Sequence, residues 1–343
     1  MVVLITTIFF IINQASAIEK LTGQHGLWIV RHNLKTKASV DKVIADIVKL
    51  NIKHAYVQVR GRGYAYYNSA IEPKAPEIEP FFDPLQYFIE QASQKNIQVY
   101  AWINIYLLWT SPKDPSNQSH LFYKHPDWFD TIRQTPSDLS FRHIYLSPMC
   151  MKANLYLLAI IEEIIDQYRI DGIHLDYIRY FNELSGYHLA GIEEFSLKNG
   201  GINSDFTKSE EWIEYKTQKI DDLVADISDL VKIQSRPLVL SAAVKPNPVQ
   251  AYYEYGQNWK KWLDMGWMNY VVLMNYAENV ENFTENLSRV QKQCEPSKVY
   301  CGIGLWNKPL AIIQQQIDQS KAFGFYNLVL FSYDSFVENN WLK

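Results

Sequence analysis

The densest set of groups able to do chemistry lies in Tyr168-Arg169-Ile170-Asp171-Gly172-Ile173-His174-Leu175-Asp176-Tyr177-Ile178-Arg179-Tyr180. The segment reads as a helix end, a tight turn at Asp171-Gly172 and a short apolar strand that finishes in charge. Residues two apart on a strand share a face, so His174 and Asp176 point one way and Ile173, Leu175 and Tyr177 the other. A buried parallel strand is apolar on both faces. A His and an Asp on one such face cost desolvation free energy unless they are paired or used. Asp176 ends its strand, where α/β barrels carry their reacting groups. Asp171 precedes the strand and reads as a turn residue at the opposite barrel face.

Other strand ends gather similar groups. Gln58 and Arg60 close one strand, Trp102 and Asn104 another, and Arg179 follows Asp176. Met274-Asn275-Tyr276 leads to Glu278, Gly304 leads to Trp306, and Phe331-Ser332-Tyr333 leads to Asp334. Gln58, Asn275 or Ser332 alone would read as a structural cap; the joint placement is harder to explain by packing. Three carboxylates, Asp176, Glu278 and Asp334, fit the two-carboxylate chemistry of glycoside hydrolysis, in which one group donates a proton and the other is nucleophile or base. The sequence shows no Gly-x-Ser-x-Gly elbow, no dinucleotide fingerprint and no His-Glu-x-x-His. Gly61-Arg62-Gly63 is only loosely similar to a phosphate loop. His174-x-Asp176 lacks a second ligand pair for a metal site, so no metal or cofactor is expected.

The elements that must position these groups alternate. Eight β-like runs occur at Gly26–Val30, His54–Arg60, Gln98–Asn104, Gly172–Ile178, Leu238–Val244, Tyr270–Tyr276, Lys298–Leu305 and Asn327–Tyr333, most with helical patterns between them. Val40, Val43, Ile44, Ile47 and Val48 keep helical spacing, and Asp83-Pro84 reads as an N-cap followed by proline at the first helical position. This alternation predicts a parallel sheet, and eight strands predict a single-domain (β/α)8 TIM barrel. The connections after the third and fourth strands, from Ile105 to Ala153 and from Arg179 to about Lys208, exceed the usual length. Both should stand over the C-terminal face and wall a cleft.

The 343 residues carry a net charge of −4 and no basic patch interleaved with aromatics, which argues against nucleic acid as a partner. The 10 Trp and 23 Tyr could serve either a large core or sugar-stacking faces. Val2–Ile12 is apolar but short for a membrane span. With Ala15-Ser16-Ala17 after it, residues 1–17 read as a signal peptide and 18–343 as the barrel, an uncleaved anchor being the alternative. Export to the periplasm or outside the cell follows. Cys150, Cys294 and Cys301 give no disulfide framework.

Tyr168–Tyr180 resembles the Tyr-x-Val-Asp-Gly-Ile-His-x-Asp-Asp/Tyr segment of the glycosyl hydrolase-like family 10 proteins, a bacterial envelope group. Val57-Gln58-Val59-Arg60, Tyr67-Asn68-Ser69, Phe82-Asp83-Pro84-Leu85, Val99–Asn104, His125-Pro126-Asp127-Trp128, Leu146-Ser147-Pro148 and Trp259–Asn275 are similar to family segments in order. The resemblance spans roughly residues 25–335. It implies a TIM-barrel glycoside hydrolase of the cell envelope, acting on peptidoglycan glycan strands or another amino-sugar polymer, with Asp176 as nucleophile or stabiliser. His174 would match a basic substrate-binding residue two before the strand-four nucleophile of the similar α-amylase superfamily. An acid of α-amylase type is missing after strand five, where the chain reads Leu240-Ser241-Ala242-Ala243-Val244-Lys245, so the acid/base would be Glu278 or, second, Asp334. Trp102, Tyr276, Trp306 and Tyr333 would be sugar platforms. Arg60, Asn104, His174 and Arg179 would bind hydroxyl, acetamido or carboxylate groups. Two other readings stay open: one carboxylate assisted by a substrate acetamido group, or a non-catalytic barrel that binds polysaccharide or scaffolds an envelope complex. Carboxylates about 5–10 Å apart across one cleft favour hydrolysis; Asp176 alone beside an arginine favours binding.

Overall fold

A computed structural model describes residues 25–133, 143–201, 206–306 and 308–342; the proposed signal peptide lies outside them. Eight parallel strands close a TIM barrel: β1 Gly26–Ile29, β2 His54–Gly61, β3 Gln98–Asn104, β4 Gly172–Asp176, β5 Val239–Val244, β6 Tyr270–Met274, β7 Val299–Gly304 and β8 Leu328–Phe331. Closure is direct, because β1 pairs with both β2 (Gly26 with His54) and β8 (Gly26 with Val329).

The helices form where the sequence gives them both an apolar face and a start signal. Lys37–Lys49 buries Val40, Val43, Ile44 and Ile47, and Thr36 and Ser39 close a capping box at its N-terminus. Pro84–Ser93 starts on Asp83, whose carboxylate accepts from the Gln86 N–H. Apolar side chains fill the layer between barrel and helices. The barrel interior is different: Trp28, Tyr56, Tyr100, Trp102 and Tyr270 fill it with Ala243, Val272 and Val329. Tyr56 and Tyr100 stack with centroids 4.9 Å apart, and the Tyr56 and Tyr270 hydroxyls bond at 2.7 Å. At the N-terminal end Asp171 accepts the Val99 N–H at 2.7 Å and anchors the start of β4, a structural role.

The two long connections are built against each other. The first contains the antiparallel strand pair Leu107–Trp109 and Ile144–Tyr145, and the second the helix Leu189–Lys198. Asp130 accepts the Gly186 N–H at 2.8 Å, Tyr187 N–H reaches Thr131 O at 3.2 Å, and Arg133 N–H reaches Leu184 O at 2.9 Å. Backbone bonds of this kind fix the two loops as one wall.

Cys150, Cys294 and Cys301 are all free thiols, and Cys301 is buried in β7. No helix of the described residues is long and apolar enough to cross a membrane.

Candidate active site

A cavity of about 310 Å³ opens at the C-terminal end of the barrel. Asp176 on β4 and Trp102 and Asn104 on β3 form its floor, with Gln58 from β2, Tyr276 beyond β6 and Phe331 on β8 around them. The long connections add Leu107, Thr110, Tyr177 and Arg179, so both contribute lining, as their lengths suggest.

Asp176 is the one carboxylate among the described lining residues. Its Oδ1 accepts the Tyr177 N–H at 2.7 Å and an Arg179 Nη1–H at 3.4 Å; its Oδ2 accepts the Trp102 indole N–H at 3.2 Å. A carboxylate has about four lone-pair positions, and among the described residues the second one on Oδ2 has no protein partner. Burial raises the Asp176 pKa above the ordinary carboxylate value, against the pull of Arg179, Tyr177 N–H and Trp102. The bond from Tyr177 N–H comes with a left-handed backbone at Tyr177, φ 52°, a conformation that costs free energy and clusters at functional sites. The Tyr177 ring carries the Arg179 guanidinium 4.4 Å from its centroid.

His174 shares a strand face with Asp176 but lies beneath the cavity, fully buried. Its Nε2 is 3.1 Å from the Trp28 indole nitrogen and its Nδ1 2.9 Å from Ser241 Oγ. The indole can only donate, so Nε2 accepts and Nδ1 carries the proton toward Ser241. Burial lowers the His174 pKa to about 3. The ring is therefore neutral and structural, which corrects its expected role in binding substrate. The unfolded chain takes up a proton on this residue below pH 6.5, whereas the folded chain resists until about pH 3, so stability is lost as pH falls. Between pH 7 and 5 this one group removes about 2 kcal/mol. His174→Gln should show a correspondingly smaller loss when urea unfolding is compared at those two pH values; an unchanged loss would contradict the neutral buried assignment.

Arg60 is the second correction. The pairing of β2 with β3 shifts between Gln58 and Arg60, so that Gln58 pairs with Trp102 but Arg60 with Ile103. A β-bulge breaks the period-two rule. Gln58 stays on the inner face and bonds Asn104 Oδ1 at 3.2 Å, while Arg60 turns to the outer face, fully buried. There its Nη2 meets Glu72 Oε1 at 2.7 Å and its Nε meets Glu72 Oε2 at 2.9 Å.

Tyr333 does not face the cavity either. The strand stops at Phe331, and Tyr333 opens the helix Tyr333–Glu338, its hydroxyl donating to Asp46 at 2.6 Å. Asp334 is absent from the lining, and His32 Nε2 lies 2.7 Å and Asn33 Nδ2 2.9 Å from its Oδ1. Although burial pushes its pKa up, these bonds bring it below the ordinary value, which makes it a poor proton donor. Glu278 is exposed, in the connection after Tyr276, and is absent from the lining. Asn104, Trp102, Arg179 and Tyr276 do line the cavity. Trp306, 36% exposed, packs edge-on to Tyr276 with centroids 5.1 Å apart and offers a face beside the mouth.

The sequence reading passed over Trp28 and Arg31, which also line the cavity. Trp28 on β1 lies two residues before Val30, which follows the strand and also lines the cavity, a period-two signal that could have been read. Among the described residues no group of three His, Cys, Asp or Glu could hold a metal ion.

Comparison with known proteins agrees with this architecture. The chain is 24% identical over 199 residues to glycosyl hydrolase YngK of Bacillus subtilis, a match covering 56% of this chain and 36% of the relative. It is 22% identical over 273 residues to glycosyl hydrolase DigH of Escherichia coli K12, covering 72% of this chain and 59% of the relative. The match thus spans less than two thirds of the length of either relative. The glycoside hydrolase domain of PgaB (BpsB) from Bordetella bronchiseptica superposes with a TM-score of 0.68 at 16% identity, over 92% of this chain and 95% of that one, a likeness of fold. The profile of glycosyl hydrolase-like 10 matches residues 24–320, and the chain belongs to that family.

Proposed function

We propose that the protein is an exported glycoside hydrolase, periplasmic or extracellular, that cleaves an amino-sugar polymer of the cell envelope, with peptidoglycan glycan strands as the substrate class. The observation that carries this reading is Asp176: a carboxyl of raised pKa, held on three sides, with a free Oδ2 position in an aromatic-lined cavity. The geometry favours one protein carboxylate rather than two, because Glu278 and Asp334 lie outside that lining. A substrate acetamido group supplies the missing nucleophile, as in other substrate-assisted glycosidases.

In this mechanism protonated Asp176 gives its proton to the glycosidic oxygen. The C1–O bond breaks and its electron pair stays on the leaving oxygen, while the acetamido carbonyl oxygen bonds to C1 from the opposite face. Asp176, now ionised and steadied by Arg179, takes a proton from the water that opens the cyclic intermediate. The anomeric configuration is retained. Tyr276 and Trp306 hold the sugar rings by their faces, and Asn104 and Gln58 offer polar groups on the floor.

The test is reducing-end release from peptide-free glycan strands, N-acetylated and de-N-acetylated. Cleavage of the acetylated strands alone is expected; equal cleavage of both removes the acetamido group from the mechanism. Glu278→Gln should stay within about threefold of native turnover, whereas a loss of about 100-fold or more would restore it as the acid. A non-catalytic binding barrel is the second reading. It is favoured by the Asp176–Arg179 contact at 3.4 Å and the lack of a second carboxylate in the described lining. Retained glycan binding with no release by the native protein selects it.

A further inference from the structure

Arg31 and Arg62 line the central cavity and also a second cavity of about 270 Å³ that adjoins it across these two guanidiniums. Aromatic rings wall the second cavity: Tyr64, Tyr66 and Trp109, with Tyr64 and Trp109 centroids 6.2 Å apart. Both arginines are half-buried and both are bonded to neutral oxygens. Arg31 Nη1 donates to Gln58 Oε1 at 2.9 Å, and Arg62 Nε donates to Thr110 Oγ1 at 2.7 Å. Among the described residues neither forms an ion pair with a carboxylate. Glu77, Asp114 and Lys113 also line the second cavity, and Glu77 Oε1 takes the Tyr66 hydroxyl. Burial is the main cause that lowers the Arg62 pKa, and Arg31 lowers it further, more strongly than Glu77 raises it. Counting Arg179, the central cavity sets three guanidiniums against the single carboxylate of Asp176.

Two like charges held side by side with polar but neutral partners are costly, and an oxyanion between them relieves the cost. Guanidinium groups match a carboxylate in geometry as well as charge. We propose that the two cavities form one groove for consecutive sugars of a single chain, in which Arg31 and Arg62 grip a carboxylate on the unit next to the one held at Asp176. The ligand class is an acidic glycan, and the second cavity is the subsite of the neighbouring sugar, stacked against Tyr64 or Trp109. This rests on the hydrolase reading for the position of the scissile bond, but not for the binding itself.

The experiment therefore measures binding and turnover separately. The probes are peptide-free glycan oligosaccharides with free carboxylates and the same oligosaccharides with each carboxyl reduced to an alcohol. Calorimetry should show native protein binding the acidic form at least about tenfold more tightly. Arg62→Gln should abolish most of that preference, and Arg62→Lys, which keeps the charge but loses the fork, should keep part of it. The ratio of kcat/KM for acidic over reduced substrate should fall in parallel. Equal native affinity for the two forms, or no binding of either, overturns the inference. Equal affinity with cleavage of both forms leaves the hydrolase reading intact. Acid-selective binding lost in Arg62→Gln, without any turnover, supports the subsite and removes the hydrolase reading instead. Thermal unfolding of both variants guards against a folding defect: a preference lost only in an unfolded variant is no support.

Discussion

Asp176→Asn should lower kcat on glycan strands by about 100-fold to 10,000-fold, the range expected for loss of a positioned proton donor, while oligosaccharide binding persists. The amide fills the same volume and can still accept from Tyr177 N–H through its oxygen. Its NH2 group would then face the Trp102 indole N–H, donor against donor, in place of the present 3.2 Å bond. Arg179, itself buried, would lose its carboxylate partner. Some loss of stability is therefore expected, and turnover should be measured on protein shown to be folded. The pH profile provides a second readout. If Asp176 acts as the acid, native kcat declines as pH rises through its pKa, which burial places above the ordinary carboxylate range. Arg179 opposes that shift, so Arg179→Gln should move the declining limb to higher pH. Turnover by Asp176→Asn equal to that of the native protein would falsify the role given to this residue.

Much of the architecture was legible because it depends on patterns that tertiary structure rarely overrides. All eight barrel strands lie where the apolar runs place them, with boundary differences of one or two residues. Asp83-Pro84 starts its helix as the side-chain chemistry requires. The site was legible only where strand parity held. Trp102, Asn104 and Asp176 follow the alternation to the cavity floor. Arg60 fails because a bulge after Gln58 inverts the face, and no residue type at that point announces a bulge. Tyr333 fails because β8 ends at Phe331 and a helix begins two residues later. His174 obeys parity and still misses the cavity, since the face it shares with Asp176 runs down into the barrel core, under Trp28 and beside Tyr56. Glu278 and Asp334 lie beyond their strands, where the period-two rule no longer applies. The Arg31–Arg62 pair has no spacing signal: it joins a short helical turn after β1 to the turn that ends β2, and the parallel pairing of β1 with β2 brings the two together.

The bulge that removes Arg60 from the site gives it a different importance. Its guanidinium and the Glu72 carboxylate are both fully buried and meet in a two-bonded pair, and Nη1 also donates to the backbone oxygens of Asn104 and Ile105. The Glu72 carboxylate receives a further bond from the Tyr156 hydroxyl at 3.3 Å. Four of the five Arg60 N–H donors and both Glu72 carboxylate oxygens thus have partners, which is what lets a charge pair persist in such a place. Glu72→Ala should destabilise the protein by about 3–5 kcal/mol, because Arg60 is left charged and uncompensated in the core. A double change, Arg60→Met with Glu72→Leu, removes both charges and should recover a large part of that loss. Urea unfolding of Arg60→Met, Glu72→Leu and the double variant forms the cycle that checks it. The consequence extends to activity. Arg60 holds the carbonyls of Asn104 and Ile105, the last residue of β3 and the one after it, at the point where the chain leaves the cavity floor for the long connection. Losing that hold should loosen Asn104 and the wall that follows, so Arg60→Met should also raise KM at temperatures where the variant remains folded. A variant that unfolds as the native protein does, within about 0.5 kcal/mol, would show that the pair is dispensable and that the bulge at Gln58 has some other cause.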